Sequence, residues 1–321
     1  RSPERNREYH DRLRDLAVES GVTQTWGMFS VKAAPDIWRP YFDLLDETAT
    51  AGGRMFAQVH SRGLNNILSF ESATPYDNWE LWRDIRTLPL EEQKARLGDP
   101  ATKAKLVEIA NRKYTGPRIV GAEIRPPDWH YVFPMVDMSY DTPSMAQIAK
   151  EKGVDPVELM IDMALERDLK MFFRAPIANE NQDHVLEMIK HPRSVVTFSD
   201  SGAHVSQIMD SSLQTHLLSH WVREKEALTL EEAVKQITYN TATLWGLHDR
   251  GLLREGMAAD VVVFDPDTIG PNMPEVLNDL PAGARRLKQT ASGILNTVVN
   301  GEILLTDNEY SGATAGRLLR S

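Results

Sequence analysis

The sequence predicts an α/β protein of parallel βα units, interrupted by an inserted helical segment and followed by a small β unit. Three observations carry this. The first sixty residues alternate helix, strand, helix and strand patterns, the rhythm of βα units. The stretch "VVTFSDSGAHV" (195–205) is a run of strand formers that ends in a carboxylate and a small-residue loop. That is where α/β barrels keep their chemistry. Near the end, "ILNTVVNGEILLT" joins two apolar runs through Asn300-Gly301, the strongest short-range hairpin signal.

The elements follow in order. Ser2-Pro3 reads as N-cap and first helical residue. Tyr9, Leu13, Leu16 and Ala17 then share a face, and Gly21 ends the helix. "VTQTWGMFSV" (22–31) reads as a strand. "PDIWRPYFDLLDETATAGG" (35–53) reads as a helix with Ile37, Tyr41, Leu44, Leu45 and Thr48 inward, and "RMFAQVH" (54–60) as a second strand. Residues 61–117 break the rhythm with short charged helices punctuated by Pro75, Pro89, Pro100 and Pro117, an insertion too long for a simple loop. Its Trp79 and Trp82 suit a local core by the apolar area they bury, or else a lid over a pocket. "PRIVGAEI" and "YVFPMVDM" read as strands of open partnership. Ser144-x-x-Gln147 and Asp155-Pro156 start helices, "LKMFFRA" reads as a strand, Asn179 as the cap of the next helix, and "SVVTFSD" as the strand after it. The βα alternation thus resumes. Thr229-x-x-Glu232 caps a later helix, and residues 260–265 open the closing β unit.

The bulk numbers bound the function. The 321 residues suffice for one large domain or two ordinary ones. A hydrophobic share of 41% supports a sizeable core, and 26% charged residues is ordinary. A formal net charge of −10 argues against a nucleic-acid partner. With no cysteine, any metal must sit on His, Asp, Glu or a modified Lys. No apolar run approaches the ~20 residues of a membrane span, and "RSPERNREYHDRLRDLA" reads as a charged helix and not a signal peptide. No membrane partner and a cytoplasmic location are therefore expected. Without an initiating Met, the chain is expected to be processed, trimmed or cut from something longer.

Asp200, just past a strand, is the leading candidate: at a barrel mouth it can hold a metal and take a proton from water, or simply order its loop. His204, four residues on, can contact substrate. His60 ends its strand in the position equivalent to Asp200, so the two make a candidate metal pair. Arg174, at a strand end, suits a substrate carboxylate or a surface salt bridge. His216 and His220 have chelating i,i+4 spacing but lack the zincin glutamate between them, and their Leu and Trp neighbours favour packing. No P-loop, dinucleotide glycine pattern or nucleophile elbow is present.

"FSDSGAHV", "HLLSHWVREKEALTLEEAVKQITYNTATLWGLHDRGLLREGMAADVVVFDPDTIGP" and "VVNGEILLTDNEYSGATAGRLLR" together resemble the C-terminal part of the amidohydrolase superfamily, in its N-acyl-D-amino-acid deacylase or D-aminoacylase-like branch. "SATPYDNWELWRDIRTLPLEEQKARLGDP" resembles an insert of that branch. The resemblance implies the later part of a (β/α)8 TIM-type barrel with an inserted helical segment and a small C-terminal β-sandwich portion. It divides the chain into barrel units at 1–60, an insertion with irregular strands at 61–143, barrel units ending in the Asp200 strand at 144–250, and the sandwich return at 251–321. It further implies a hydrolase of linear or cyclic amides with one or two divalent ions such as Zn. Asp200 would be metal ligand, general base and then proton donor, and His60 a strand-end ligand.

Three departures qualify the match. No H-x-H is present, no bridging lysine or cysteine can be placed, and Thr25-Trp26 stand where many relatives carry a histidine. Roughly four early βα units are expected to come from a missing N-terminal half or a complementing chain, with a homo-oligomer as a further possibility. An isolated half barrel would expose strand edges, so stability is expected only with that half. The alternative is a non-catalytic binding or scaffolding subunit that has lost its metal ligands.

Overall fold

The computed structural model describes residues 2–116, 125–200, 202 and 204–318. The strand expected at 117–124 lies outside the described residues. Helix α1 (Pro3–Ser20) leads to strand β1 (Gln24–Met28), and α2 (Arg39–Thr50) to β2 (Met55–Val59). Ser2 caps α1, and Gly21 ends it in the left-handed region. α2 starts later than its sequence pattern suggests, because residues 35–38 form turns. Ile37 therefore points outward at 54% exposure, while Trp38, Phe42, Leu44, Leu45 and Thr48 fill the interior. On α1, Ala17 is buried and Leu16 is exposed.

The insertion begins with β3 (Leu64–Ser69), α3 (Glu80–Arg86), α4 (Leu90–Gly98) and α5 (Pro100–Ala110). It continues through β4 (Phe133–Met135), α6 (Met145–Lys152), α7 (Pro156–Leu165) and β5 (Phe172–Ala178). β3, β5 and β4 make an antiparallel sheet in that order. The "LKMFFRA" strand therefore belongs to this sheet and not to a resumed parallel one, a difference from the sequence reading. The sheet and its helices share a core of their own, in which Phe70, Trp82, Leu97, Leu106, Met145 and Phe173 are buried. Trp82 donates its indole N–H to Leu106 O at 3.2 Å. Trp82 is thus core, and the half-buried Trp79 packs against that core.

The chain returns through α8 (Gln182–Lys190) to β6 (Ser194–Val196). Asn181, not Asn179, caps α8 by accepting from the Asp183 and His184 amides. Asn179 instead takes φ +59 and ties β1 to the insertion: its amide bonds Ser30 O at 2.6 Å, and its Oδ1 accepts from Ser30 N at 2.9 Å. Strands β1, β2 and β6 pair in parallel in that order, β2 central, with no closed barrel among the described residues. Leu44, Leu45, Met55, Ala57, Val59, Val185, Met188, Val196 and Trp221 pack around this sheet. β1 and β6 each keep an unpaired edge among the described residues.

Helix α9 (Leu213–His216) runs unbroken into a π-helical stretch (Leu217–Glu224), followed by α10 (Leu230–Ile237), started by a full Thr229/Glu232 capping box, and α11 (Tyr239–Leu244). The rest is strand: β7 (Val261–Phe264), β8 (Gly270–Pro271), β9 (Glu275–Leu280), β10 (Ala284–Lys288), β11 (Ala291–Ser292), β12 (Ile294–Val299), β13 (Glu302–Thr306) and β14 (Glu309–Tyr310). β14, β13, β12 and β7 form an antiparallel sheet. The β12–β13 turn is the expected hairpin, with Asn300 at φ +49 and Gly301 at +84, the paired positive angles of a type I′ turn. Val262, Ile303 and Tyr310 of this sheet are exposed.

Gly27 shows how β1 shapes the rim. A Cβ there would lie 2.7 Å from the Phe198 ring, which meets Phe29 edge-on two residues before Asp200. Gly27→Ala is expected to displace Phe198 and to destabilise the chain by about 1–3 kcal/mol, the usual cost of overpacking. A urea midpoint equal to that of the parent would show that the ring moves freely.

Candidate active site

The strand tips of β2 and β6 converge on one carboxylate, Asp210. β2 is central, so the residue that follows it, His60, is fully buried. Its Nδ1 lies 3.0 Å from Arg62 O, and its Nε2 lies 3.3 Å from Asp210 Oδ2 without hydrogen-bond alignment to any partner. Nδ1 also accepts from the Arg62 amide at 3.2 Å, and with the ring proton on Nε2 the imidazole turns its N–H toward the Asp210 carboxylate. Ser61 Oγ donates to Leu213 O at 2.5 Å, and Trp221 Nε1 donates to Ser61 O at 2.6 Å, so the tip of β2 is fixed to the following helix.

Asp210 is buried and connects the two tips. Its Oδ2 accepts the Asp200 amide at 2.9 Å, and its Oδ1 accepts from Ser199 Oγ at 2.8 Å. Burial alone would raise its pKa, but His60, the Asp200 amide and Ser199 outweigh that and hold it down to about 2. Burial pushes the His60 imidazole down, which keeps it neutral.

Asp200 lies four residues past the end of β6, because only Ser194–Val196 pair as strand. Its side chain is 34% exposed, and its Oδ2 lies 3.4 Å from Nε2 of the half-exposed His204. It sits neither deep in the core nor out in bulk solvent. The structure thus brings Asp200, His204, Asp210 and His60 into one chain of contacts.

Arg174 is elsewhere in the contact network and is buried at 5% exposure, not a surface ion pair. Its guanidinium lies 3.7 Å from the Tyr140 ring centre and 4.9 Å from that of Phe133. Burial lowers its pKa. His216 and His220 are also buried, their rings stacked at 4.8 Å and 16°. Stacked rings aim their lone pairs along parallel lines, so the pair does not converge on an ion.

Sequence reasoning missed Asp210, Arg62 and Tyr140. Asp210 sits in an irregular segment, where an Asp before Ser-Ser reads as turn or cap chemistry. Only the long-range contact with His60 distinguishes it.

The donor set admits a partial test for a metal. Two ligands at ~2.1 Å from a tetrahedral ion stand roughly 3.4 Å apart, and His60 Nε2 and Asp210 Oδ2 are 3.3 Å apart. A buried, unpartnered imidazole nitrogen facing a carboxylate fits one edge of such a centre. Among the described residues no group of three or more His, Cys, Asp or Glu side chains converges to complete it.

Parallel βα units with a histidine at the tip of the central strand, followed by a β-rich C-terminal region, fit part of a TIM-barrel-type α/β fold. The family model described as "Amidohydrolase family" matches residues 134–305, more than half of the chain, and the chain belongs to that family. Its similarity falls in the D-aminoacylase-like branch. It is 35% identical over 103 residues to the D-aminoacylase of Alcaligenes xylosoxydans xylosoxydans, covering 32% of this chain and 19% of that one. It is 54% identical over 55 residues to the N-acyl-D-glutamate deacylase of the same organism, covering 17% and 11%. A solved D-aminoacylase described as defining a novel subset of amidohydrolases shares the fold at TM-score 0.50 and 17% identity, over 96% of this chain and 52% of that one. The chain thus spans about half the length of this solved relative, and the matched stretches are a fifth or less of those two curated relatives.

Among the described residues no helix is long and apolar enough to cross a membrane.

Proposed function

We propose that this chain forms the later part of a metal-dependent amidohydrolase that cleaves the amide of an N-acyl amino acid or a related cyclic amide. The observation that carries the reading is the buried, unpartnered Nε2 of His60 facing Asp210 at the tip of β2, with Asp200 bonded to the same carboxylate from the tip of β6. The names of the curated relatives, D-aminoacylase and N-acyl-D-glutamate deacylase, support the substrate class.

His60, with Asp200 or Asp210, would hold one divalent ion, zinc or a second ion of the same kind. Bound there, the ion polarises the amide carbonyl and brings the pKa of water toward ~7. Asp200 does the proton work. Its partly exposed carboxylate takes a proton from the attacking water as the new C–O bond forms, then returns it to the nitrogen as the C–N bond breaks. His204, 3.4 Å away, orients that carboxylate or meets the substrate. Arg174 serves the substrate from the insertion sheet.

The remaining ligands and barrel strands come from a complementing segment outside these residues. The open edges of β1 and β6 are the sites where it would pair. One observation favours the rival reading of a non-catalytic scaffold: the donor set here stops at one edge of a metal centre.

The deciding experiment measures zinc content and release of amine from N-acyl-D-amino acids, with the complementary half supplied. Near-stoichiometric zinc, lost on His60→Ala, together with turnover is the expected result. A metal-free, folded and inactive assembly would establish the scaffold instead.

A further inference from the structure

We propose that Asn179 is a positioning residue for His60: it fixes the Arg62 carbonyl against the imidazole and so favours the ring tautomer whose Nε2 can hold a metal ion. The proposal rests on the metal reading above and extends it to a residue that touches neither Asp200 nor Asp210.

Asn179 is fully buried and takes φ +59, in the left-handed region that asparagine tolerates better than most residues. All four of its polar groups are engaged. Its amide donates to Ser30 O at 2.6 Å, and its Oδ1 accepts from Ser30 N at 2.9 Å. Its carbonyl accepts from Gln182 Nε2 at 2.9 Å, and its Nδ2 donates to Arg62 O at 3.4 Å. The Ser30 amide can only donate, so the carboxamide end that meets it is the oxygen, and the end that faces Arg62 O is the NH2. Ser30 follows β1 and Arg62 follows β2, so one side chain joins the ends of two neighbouring parallel strands. Ser30 is held from its other side as well, with its Oγ 2.8 Å from His184 Nδ1. Three shorter bonds therefore fix where Nδ2 points.

The Arg62 carbonyl matters because His60 Nδ1 meets both polar groups of that peptide, the amide N at 3.2 Å and the carbonyl O at 3.0 Å. With the ring proton on Nε2, Nδ1 accepts from the amide and faces the carbonyl lone pair to lone pair. With the proton on Nδ1, the ring donates to the carbonyl and Nε2 presents its lone pair. A metal ligand needs the second tautomer. Asp210 Oδ2, 3.3 Å from Nε2, favours the first. The imidazole thus stands between two acceptors, and the carbonyl is the one that readies it for an ion. A carbonyl oxygen has two lone pairs. Asn179 Nδ2 occupies one and keeps the oxygen from turning away, which leaves the other for His60 Nδ1.

The test measures zinc affinity by competition with a coloured chelator, in the protein with its complementary half supplied, and follows the His60 tautomer by 15N spectra of labelled histidine. Asn179→Asp keeps the size and the acceptor for Ser30 but turns an oxygen toward Arg62 O. It is expected to lower zinc affinity about 10–100-fold, the usual cost of losing an outer partner of a ligand, and to reduce the share of His60 protonated on Nδ1. Asn179→Gly keeps the left-handed backbone and deletes the side chain; it should weaken zinc binding less, and it serves as the test if the first variant does not fold. Urea midpoints are read alongside. Variants that lose stability yet bind zinc and distribute the ring proton as the parent does would make Asn179 a structural knot only, and would overturn the proposal. His60→Ala separates the two readings. If it keeps its zinc, the metal reading fails and this proposal with it. If it loses its zinc while both Asn179 variants bind as the parent does, the positioning role alone fails.

Discussion

Asp200→Asn is expected to lower kcat for N-acyl amino acid hydrolysis about 10²–10⁴-fold, the range associated with loss of a positioned acid–base group. The carboxamide keeps the shape but cannot carry the proton between water and leaving amine. The fold should hardly notice. The side chain is a third exposed, and its carboxylate meets only the half-exposed His204 among the described residues. The anchor of this segment is the backbone amide of residue 200 bonded to Asp210, which the substitution retains. The measurement therefore pairs turnover with the urea midpoint. A large fall in kcat at constant midpoint supports the proton-transfer role. Retained turnover would remove Asp200 from the chemistry and leave it ordering its loop.

Asp210→Asn should behave differently, lowering stability as well as activity. The amide loses the charge that His60, the Asp200 amide and Ser199 surround, and it turns a donor toward groups that need an acceptor. The pH dependence gives the size and the sign. Asp210 is depressed to about 2 in the folded chain, against roughly 3.9 for an unfolded aspartate. A depressed carboxylate contributes stability that is fully present above the unfolded value and is lost as pH falls through the folded one. The contribution is about 2 kcal/mol near neutrality, and it fades between roughly pH 4 and pH 2. Urea unfolding of parent and variant should therefore differ by about this amount at pH 7 and converge at the acid end. Equal stability at pH 7 would mean that the carboxylate is not engaged as the structure places it.

The elements written in local chemistry were legible in advance. Ser2, Ser144, Asp155 and Thr229 cap the helices they were expected to start. The Asn300-Gly301 turn closes its hairpin, and His60 stands at the end of its strand. The readings that failed depended on distance. "LKMFFRA" is a strand, yet nothing in its residues says that it pairs antiparallel with β3 and β4. Ile37 fits the apolar period of α2 but lies before the helix begins. Asn179 has the composition of a cap and instead bridges β1 to the insertion.

The candidate site divides in the same way. Asp200 and His60 stood out as candidates because a run of apolar, β-branched residues precedes each; β2 does end beside His60, whereas β6 ends at Val196, four residues before Asp200. Asp210, Arg62 and Tyr140 had no such signal, and Arg174 suited a surface ion pair as well as a buried contact. Local periodicity, capping and turn preference depend on residues within a few positions of one another, so the sequence alone determined most helix starts and the closing hairpin turn, and placed His60 at the end of β2. Strand partners, the burial of two arginines around one tyrosine and the depressed carboxylate of Asp210 arise between residues as much as 150 positions apart in the chain. Only the tertiary structure decided these, because desolvation and charge pairing are set by what surrounds a group in space.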